Sequence, residues 1–245
     1  MATTPQDAAT LVPMRDPLGV GSRPEVLLVK RRPDKVGDPA TYAFPGGQIV
    51  PTDTLPSALA LSRTLTAAEA AFRLPEVHPD ARALSFWIAA LRATFEQTGL
   101  LLARYGDGRL WEPNGQDAQR LLQHRRAMLQ GSTNFPNLMH DLERALATDL
   151  LVYVAHGITA AKPAGLLSKR FFVACVPSSL PILADAHTGD ALLWVIPEEA
   201  LQRQASGALA LGPITTDILH RLRSFSSAAA AIDHLRRQPA QRIGQ

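Results

Sequence analysis

Residues 79–100 read PDARALSFWIAALRATFEQTGL, and residues 44–47 upstream of them read FPGG. The longer stretch predicts a helix, because Pro79-Asp80 is a start signal and Gly99 a stop signal. Leu84, Trp87, Ile88, Leu91 and Phe95 recur at helical spacing and form an apolar stripe that must pack inward. Ala93, Glu96 and Gln97 stand at i, i+3 and i+4 on a face pointing away from that core, with Arg92 on its flank beside Glu96. That face is free to line a cleft.

Upstream, Glu25 to Lys30 is a short β run. A polar Pro/Asp/Gly loop from Pro33 to Pro39 follows, then a second strand, Thr41 to Phe44, that enters a sharp turn at Pro45-Gly46-Gly47. Residues 51 to 77 begin with Pro51 and Pro56, become alanine-rich around Ala67 to Ala71 and stop at Pro75, as expected of an inserted, largely helical segment. Downstream, helices are expected from Gln116 to Gln130 and from Pro136 to Ala147. Three β-like runs come next, Leu150 to Ala155, Arg170 to Val176 and Ala191 to Ile196. The tail returns to helix from Ile214 to Phe225 and from Ser227 to Arg237. No repeat or composition break divides the chain, so residues 1–245 are read as one mixed α/β domain.

The chain has 245 residues, 46% hydrophobic and 19% charged, with mean hydropathy −0.01. That is the balance of a globular protein able to bury a core, and it excludes disordered and collagen-like classes. Lys and Arg number 25 against 22 Asp and Glu, a net charge of +3, and the sequence pI is about 9.3. The basic clusters Lys30-Arg31-Arg32, His124-Arg125-Arg126 and Arg236-Arg237 are short and scattered. They read as solvated surface, with only the first a candidate for phosphate contact, and no nucleic-acid partner is expected. The single cysteine, Cys175, lies in an apolar run and reads as a packing residue. MATTPQDAAT lacks the features of a signal peptide, and the longest apolar stretch, Leu150 to Ala161, is too short and interrupted to span a bilayer. A cytoplasmic protein with no membrane partner is expected.

Phe44-Pro45-Gly46-Gly47, followed after an insertion by Arg92-Ala93-Thr94-Phe95-Glu96-Gln97-Thr98-Gly99-Leu100, resembles a split and partly eroded Nudix box. With Gly47 as the box glycine, Asp53 stands where the first glutamate belongs, and Arg92, Glu96, Gly99 and Leu100 match the second half. Ala93 and Gln97 replace two of its three glutamates. The long insertion, about residues 54–86, is similar to that of a Nudix subgroup that includes coenzyme A diphosphatases. Further similarities to it are Ala8-Ala9-Thr10, Met14-Arg15-Asp16, the strand from Glu25, the run Lys169 to Ala174, and Trp194 with Pro197-Glu198-Glu199-Ala200-Leu201. The resemblance covers about residues 8 to 220.

It implies a Nudix-like α/β/α sandwich with a helical insertion and a helical C-terminal extension, about residues 197–245. It also implies a helix whose carboxylates hold Mg²⁺ or Mn²⁺ while a substrate pyrophosphate is cleaved. Displacement at phosphorus needs cations to neutralise the diphosphate and orient water, and hard cations need charged oxygen ligands. On this resemblance Glu96 is the main metal ligand and a catalytic residue. Gln97 is a weak ligand through its carbonyl, Arg92 orients Glu96, and Gly46 and Gly47 allow close approach of the backbone to the substrate. Arg31 is a candidate phosphate contact. Asp53, Glu69, Glu76, Asp185 and Asp190 are candidates to compensate for the missing carboxylates, Asp53 foremost.

Taken singly, each motif has a plain structural reading: Pro-Gly-Gly is a turn, and Arg92 with Glu96 is a surface pair. Their order along the chain carries the resemblance. His140 and His156 lack metal-ligand spacing to a second His or Cys. No Gly-x-Ser-x-Gly elbow, Walker loop or dinucleotide fingerprint is present. Two further departures from the subgroup fall at substrate-facing positions: Gly157-Ile158-Thr159-Ala160 replaces a Trp-apolar-Thr-Pro segment, and an acidic residue is missing near Arg170.

Two functions are therefore expected. One is a Mg²⁺- or Mn²⁺-dependent Nudix-type hydrolase of a nucleotide-derived or coenzyme A-like diphosphate, with weak or altered turnover. The other is a catalytically silent Nudix fold that binds a ligand or a protein. The insertion is a candidate to cap the cleft, bind the substrate tail or mediate a homodimer.

Overall fold

A computed structural model of the chain describes residues 5–19, 21–31, 40–161, 165–183 and 191–244. Arg32, the loop at 33–39 and the carboxylates Asp185 and Asp190 lie outside the described residues. The strands and helices are, in chain order, β1 (Gln6–Arg15), β2 (Glu25–Arg31), β3 (Thr41–Ala43), β4 (Gly46–Gln48), α1 (Pro56–Leu59), α2 (Ala67–Arg73), α3 (Asp80–Thr98), β5 (Ala103–Arg104), α4 (Gly115–Leu129), α5 (Phe135–Leu142), β6 (Ala145–Leu146), β7 (Val152–Ala161), β8 (Gly165–Cys175), β9 (Leu192–Val195), α6 (Pro197–Ala205), β10 (Ala210–Leu211), α7 (Pro213–Leu222), α8 (Ala228–Arg236) and β11 (Gln241–Ile243).

The main sheet runs β10-β3-β2-β1-β8-β7-β11, with β4 also paired to β1 and β9 to β2. β1 is its axis. It lies parallel to β8 along nearly its whole length, and on its other side it pairs first with β4 and then with β2. Side chains alternate across such a strand. Ala9 and Leu11 enter the core beneath α3 with Trp87, Phe86 and Phe172, whereas Val12 and Met14 enter the core beneath α6 to α8 with Phe171 and Ile218. A sheet between two helical layers results, the mixed α/β class expected.

α3 begins and ends where its signals lie, with Gly99 at φ 70° in the left-handed conformation that lets a glycine stop a helix. A Cβ at Gly99 would also stand 2.4 Å from that of Leu183, so no other residue fits. The expected open helical face is narrower than its spacing implies: every residue from Ala83 to Phe95, Ala93 included, is buried, while Glu96 and Gln97 are partly exposed. Both the sheet and the insertion helices cover α3.

Other elements differ from expectation. Strand β1 was missed. Gly46-Gly47 is not a free turn but the start of β4, paired with Ala9 and Thr10. Helix α5 stops at Leu142 because Glu143 takes a left-handed φ of 55°, and the chain then forms β6. The C-terminal extension is not wholly helical. β10 adds to β3 and β11 adds to β7, both parallel. No helix among the described residues is long and apolar enough to cross a membrane.

Candidate functional site

α3 grips the short strand β4 at each of its residues. At the C-terminal end, Arg92 Nη2 donates to the Gln48 carbonyl at 2.8 Å. In the middle, a Cβ on Gly47 would stand 3.3 Å from that of Ala93, so the two pack directly. At the N-terminal end, Gln97 Nε2 donates to the Gly46 carbonyl at 2.7 Å while Gln97 Oε1 accepts from the Gly46 N–H at 3.2 Å. The helix face that sequence assigned to a cleft is thus packed on backbone.

Arg92 anchors this contact. Its Nε and Nη2 donate to the two oxygens of Asp53 at 2.7 and 3.0 Å, and its Nη1 donates to Glu96 at 2.7 Å. Asp53 is 1% exposed and also accepts the Val50 N–H at 2.9 Å. Both Asp53 oxygens are therefore committed inside the protein. Asp53, the foremost candidate to replace a lost metal ligand, is instead the counter-ion that holds Arg92 and the start of the insertion together.

Burial raises the Glu96 carboxyl above its usual range; Arg92 opposes that shift and the Asp53 charge adds to it. Two carboxylates share one guanidinium, and Asp53 holds two of its nitrogens. Burial disfavours the Arg92 charge as well, but Asp53 and Glu96 together outweigh that and hold its pKa above the ordinary value.

Arg125 closes the C-terminal end of α3. It is 1% exposed and donates to the carbonyls of Glu96, Gln97 and Leu183 at 2.8, 3.0 and 3.0 Å. The reading of His124-Arg125-Arg126 as solvated surface fails at its middle residue. A helix end leaves carbonyls unsatisfied, and a buried guanidinium has donors in the geometry to meet them.

A Mg²⁺ or Mn²⁺ ion does not fit the donors on this helix. Ala93 has none, the Gln97 carbonyl faces the Gly46 N–H, and Glu96 Oε2 faces Arg92. No group of three or more His, Cys, Asp or Glu side chains able to hold a metal occurs among the described residues. Glu69 caps α2 through Thr66, and Glu76 lies 3.6 Å from Arg170. Neither lines the cleft described next.

That cleft, of about 610 Å³, opens on the sheet face opposite α3. Ala8 and Thr10 of β1, Gly46 and Gly47 of β4, and Lys169 and Phe171 of β8 line it, together with the first turn of α7. Gly46 and Gly47 are its partition: one side meets the cleft, the other meets Gln97 and Ala93. Arg31 and Lys169 are the charged side chains of its lining, and no carboxylate lines it among the described residues. Arg31 also reaches the Phe44 and Gly46 carbonyls at 3.3 and 3.4 Å. A larger hollow of about 860 Å³ lies between α2 and residues 236–240, away from every box residue.

The structure therefore brings Gly46, Gly47 and Arg31 to the cleft and gathers Arg92, Asp53, Glu96 and Gln97 behind it. Sequence reasoning missed Lys169 as a cleft residue. Its signal was available: Lys169 directly precedes the β-like run expected from Arg170 to Val176, two residues before Phe171-Phe172. Near Arg170, where the sequence shows no acidic neighbour, Asp7 lies 2.7 Å from Arg170 Nη1. His140 is exposed, and His156 bonds Ser168 Oγ at 2.8 Å.

No protein-family model matches the chain, and no curated protein matches its sequence. Among solved structures it is similar to a NUDIX hydrolase from Alicyclobacillus acidocaldarius, with 26% identity, 100% of each chain covered and a TM-score of 0.66. A C. elegans Ap4A hydrolase in a binary complex matches at 14% identity over 88% of this chain and 93% of that one, with a TM-score of 0.42. The NUDIX domain of Shewanella oneidensis NrtR complexed with ADP ribose matches at 11% identity over 89% and 85%, also with a TM-score of 0.42. The first likeness spans the whole chain, insertion and C-terminal extension included, and the chain has the Nudix fold.

Proposed function

We propose that the chain binds the diphosphate of a nucleotide-derived or coenzyme A-like small molecule in the cleft over Gly46 and Gly47, and that metal-dependent hydrolysis of that linkage is weak or lost. The observation that carries this reading is the lining of the cleft: Arg31 and Lys169 are its charged side chains, and no carboxylate lines it among the described residues. Such a cavity favours an anion. Tyr42, Phe44 and Phe171 beside the cations give it an apolar part suited to a base or an acyl tail. Turnover is expected to be weak because the α3 face with Ala93 and Gln97 offers the Glu96 carboxylate alone, and affinity for a hard cation falls as the number of charged ligands falls.

Hydrolysis at Glu96 is the second reading. The whole-length likeness to a NUDIX hydrolase favours it, as does a Glu96 side chain still 28% exposed. The test is a panel of coenzyme A, acyl-coenzyme A, NADH, ADP-ribose and nucleoside triphosphates, assayed for binding and for release of phosphate or monophosphate with Mg²⁺ or Mn²⁺. The expected result is binding of at least one member with turnover no greater than that of Glu96→Gln. Metal-dependent turnover abolished by Glu96→Gln would establish the second reading instead.

A further inference from the structure

Lys169 is partly buried on β8, and its ammonium has no hydrogen bond or ion pair among the described residues. Burial, and secondarily Arg31, depress its pKa. A partly buried cation without a counter-ion is costly, so the presence of Lys169 in a cleft that no carboxylate lines among the described residues calls for an anion from outside. Further donors border the same space. The buried Thr159 Oγ has no hydrogen-bond partner and lies in the cleft lining. The first turn of α7, a 10-residue helix, enters the lining with Pro213, Ile214 and Thr215. The N–H groups of Ile214 and Thr215 fall in the turn that has no intrahelical acceptor. Gly157, the partner of Lys169 in the β7–β8 ladder, allows this approach, since a Cβ there would stand 2.8 Å from Ile214 Cδ1.

We propose that Lys169, with Thr159 and the N-terminal turn of α7, binds a phosphoryl group of the ligand directly, so that diphosphate recognition in this cleft needs no divalent cation. The inference rests on the diphosphate reading above. It assigns the counter-charge that a metal would supply to groups on the sheet face opposite Glu96.

The test is equilibrium titration with ADP-ribose and with coenzyme A, each in EDTA and in Mg²⁺, on the wild-type chain and on Lys169→Met, Lys169→Arg and Arg237→Met. Arg237 is an exposed cation outside the cleft lining, so its variant makes the same charge change elsewhere. The expected result is equal affinity in EDTA and Mg²⁺, a loss of about tenfold or more in Lys169→Met, retention in Lys169→Arg and no change in Arg237→Met. Binding that appears only with Mg²⁺, or that survives Lys169→Met undiminished, overturns the inference and leaves the diphosphate reading standing. Binding of neither probe under either condition removes the diphosphate reading and this inference with it. Should Lys169→Met fail to fold, the EDTA comparison on the wild-type chain decides the matter.

Discussion

Gln97 and Gly46 exchange two hydrogen bonds, so a side chain that stands where the family resemblance places a metal-binding glutamate is spent on holding a strand. The exchange needs an amide, because one atom must donate to a carbonyl while another accepts from an N–H. Gln97→Glu is expected to turn the donor into a second acceptor facing the Gly46 carbonyl. A loss of about 1–3 kcal/mol in urea unfolding follows from leaving that buried carbonyl with only the long contact from Arg31 and opposing it with charge. Unchanged stability would mean that the clamp is not formed in solution.

The two box glycines are expected to differ. A Cβ at Gly46 would stand 2.6 Å from both the Ala9 carbonyl and Thr10 Oγ1, whereas at Gly47 the nearest atom is Ala93 Cβ at 3.3 Å. Gly46→Ala therefore must displace β1, the axis of the sheet, at a cost of about 1–3 kcal/mol or more. Gly47→Ala asks only for a small shift of α3. Thermal unfolding of the two variants side by side checks the order, with Gly46→Ala the less stable.

Asp53→Ala removes the counter-ion from a guanidinium whose side chain is 7% exposed. Breaking a buried pair from one side typically costs about 3–5 kcal/mol, and Glu96, the other carboxylate on Arg92, holds the loss towards the lower end of that range. Chemical denaturation is expected to show a loss of that order. A loss under about 1 kcal/mol, typical of an exposed pair, would contradict the packing described.

Stability should also respond to pH through Glu96. Its carboxyl is raised by burial, so between the ordinary glutamate value of 4.5 and its raised value the folded chain binds more protons than the unfolded chain. Stability contributed by protonated Glu96 is present below that window and falls as pH rises through it. Glu96→Gln keeps an acceptor for Arg92 without the charge, and its stability relative to the wild type is expected to improve as pH rises from 4 towards 7. Unfolding curves of both proteins across that range check the trend, and an opposite slope would refute it.

Local signals marked what local physics controls. The limits of α3 were legible because Pro79-Asp80 and Gly99 act on the chain beside them, and the stripe from Leu84 to Phe95 is buried as its spacing implies. Strand β1 was not legible as a strand, since Pro13 interrupts its apolar run. That proline falls where β1 passes from pairing with β4 to pairing with β2, so the lost N–H sits at a change of partner. β10 and β11 are too short to show a period and exist through pairing with distant strands. The box residues were found in order, but their roles depended on what lay across from them. Asp53 faces Arg92, Gln97 faces Gly46 and Arg125 faces the end of α3, and none of these relations is written in spacing.

The central claim is that α3 of this Nudix fold is fastened to β4 in place of holding a metal, and direct Mn²⁺ binding tests it most plainly. Electron paramagnetic resonance titration of the wild-type chain with Mn²⁺ is expected to show no stoichiometric site, and Glu96→Gln is expected to leave the titration unchanged. Stoichiometric Mn²⁺ binding that disappears in Glu96→Gln would contradict the account and return Glu96 to the role of metal ligand.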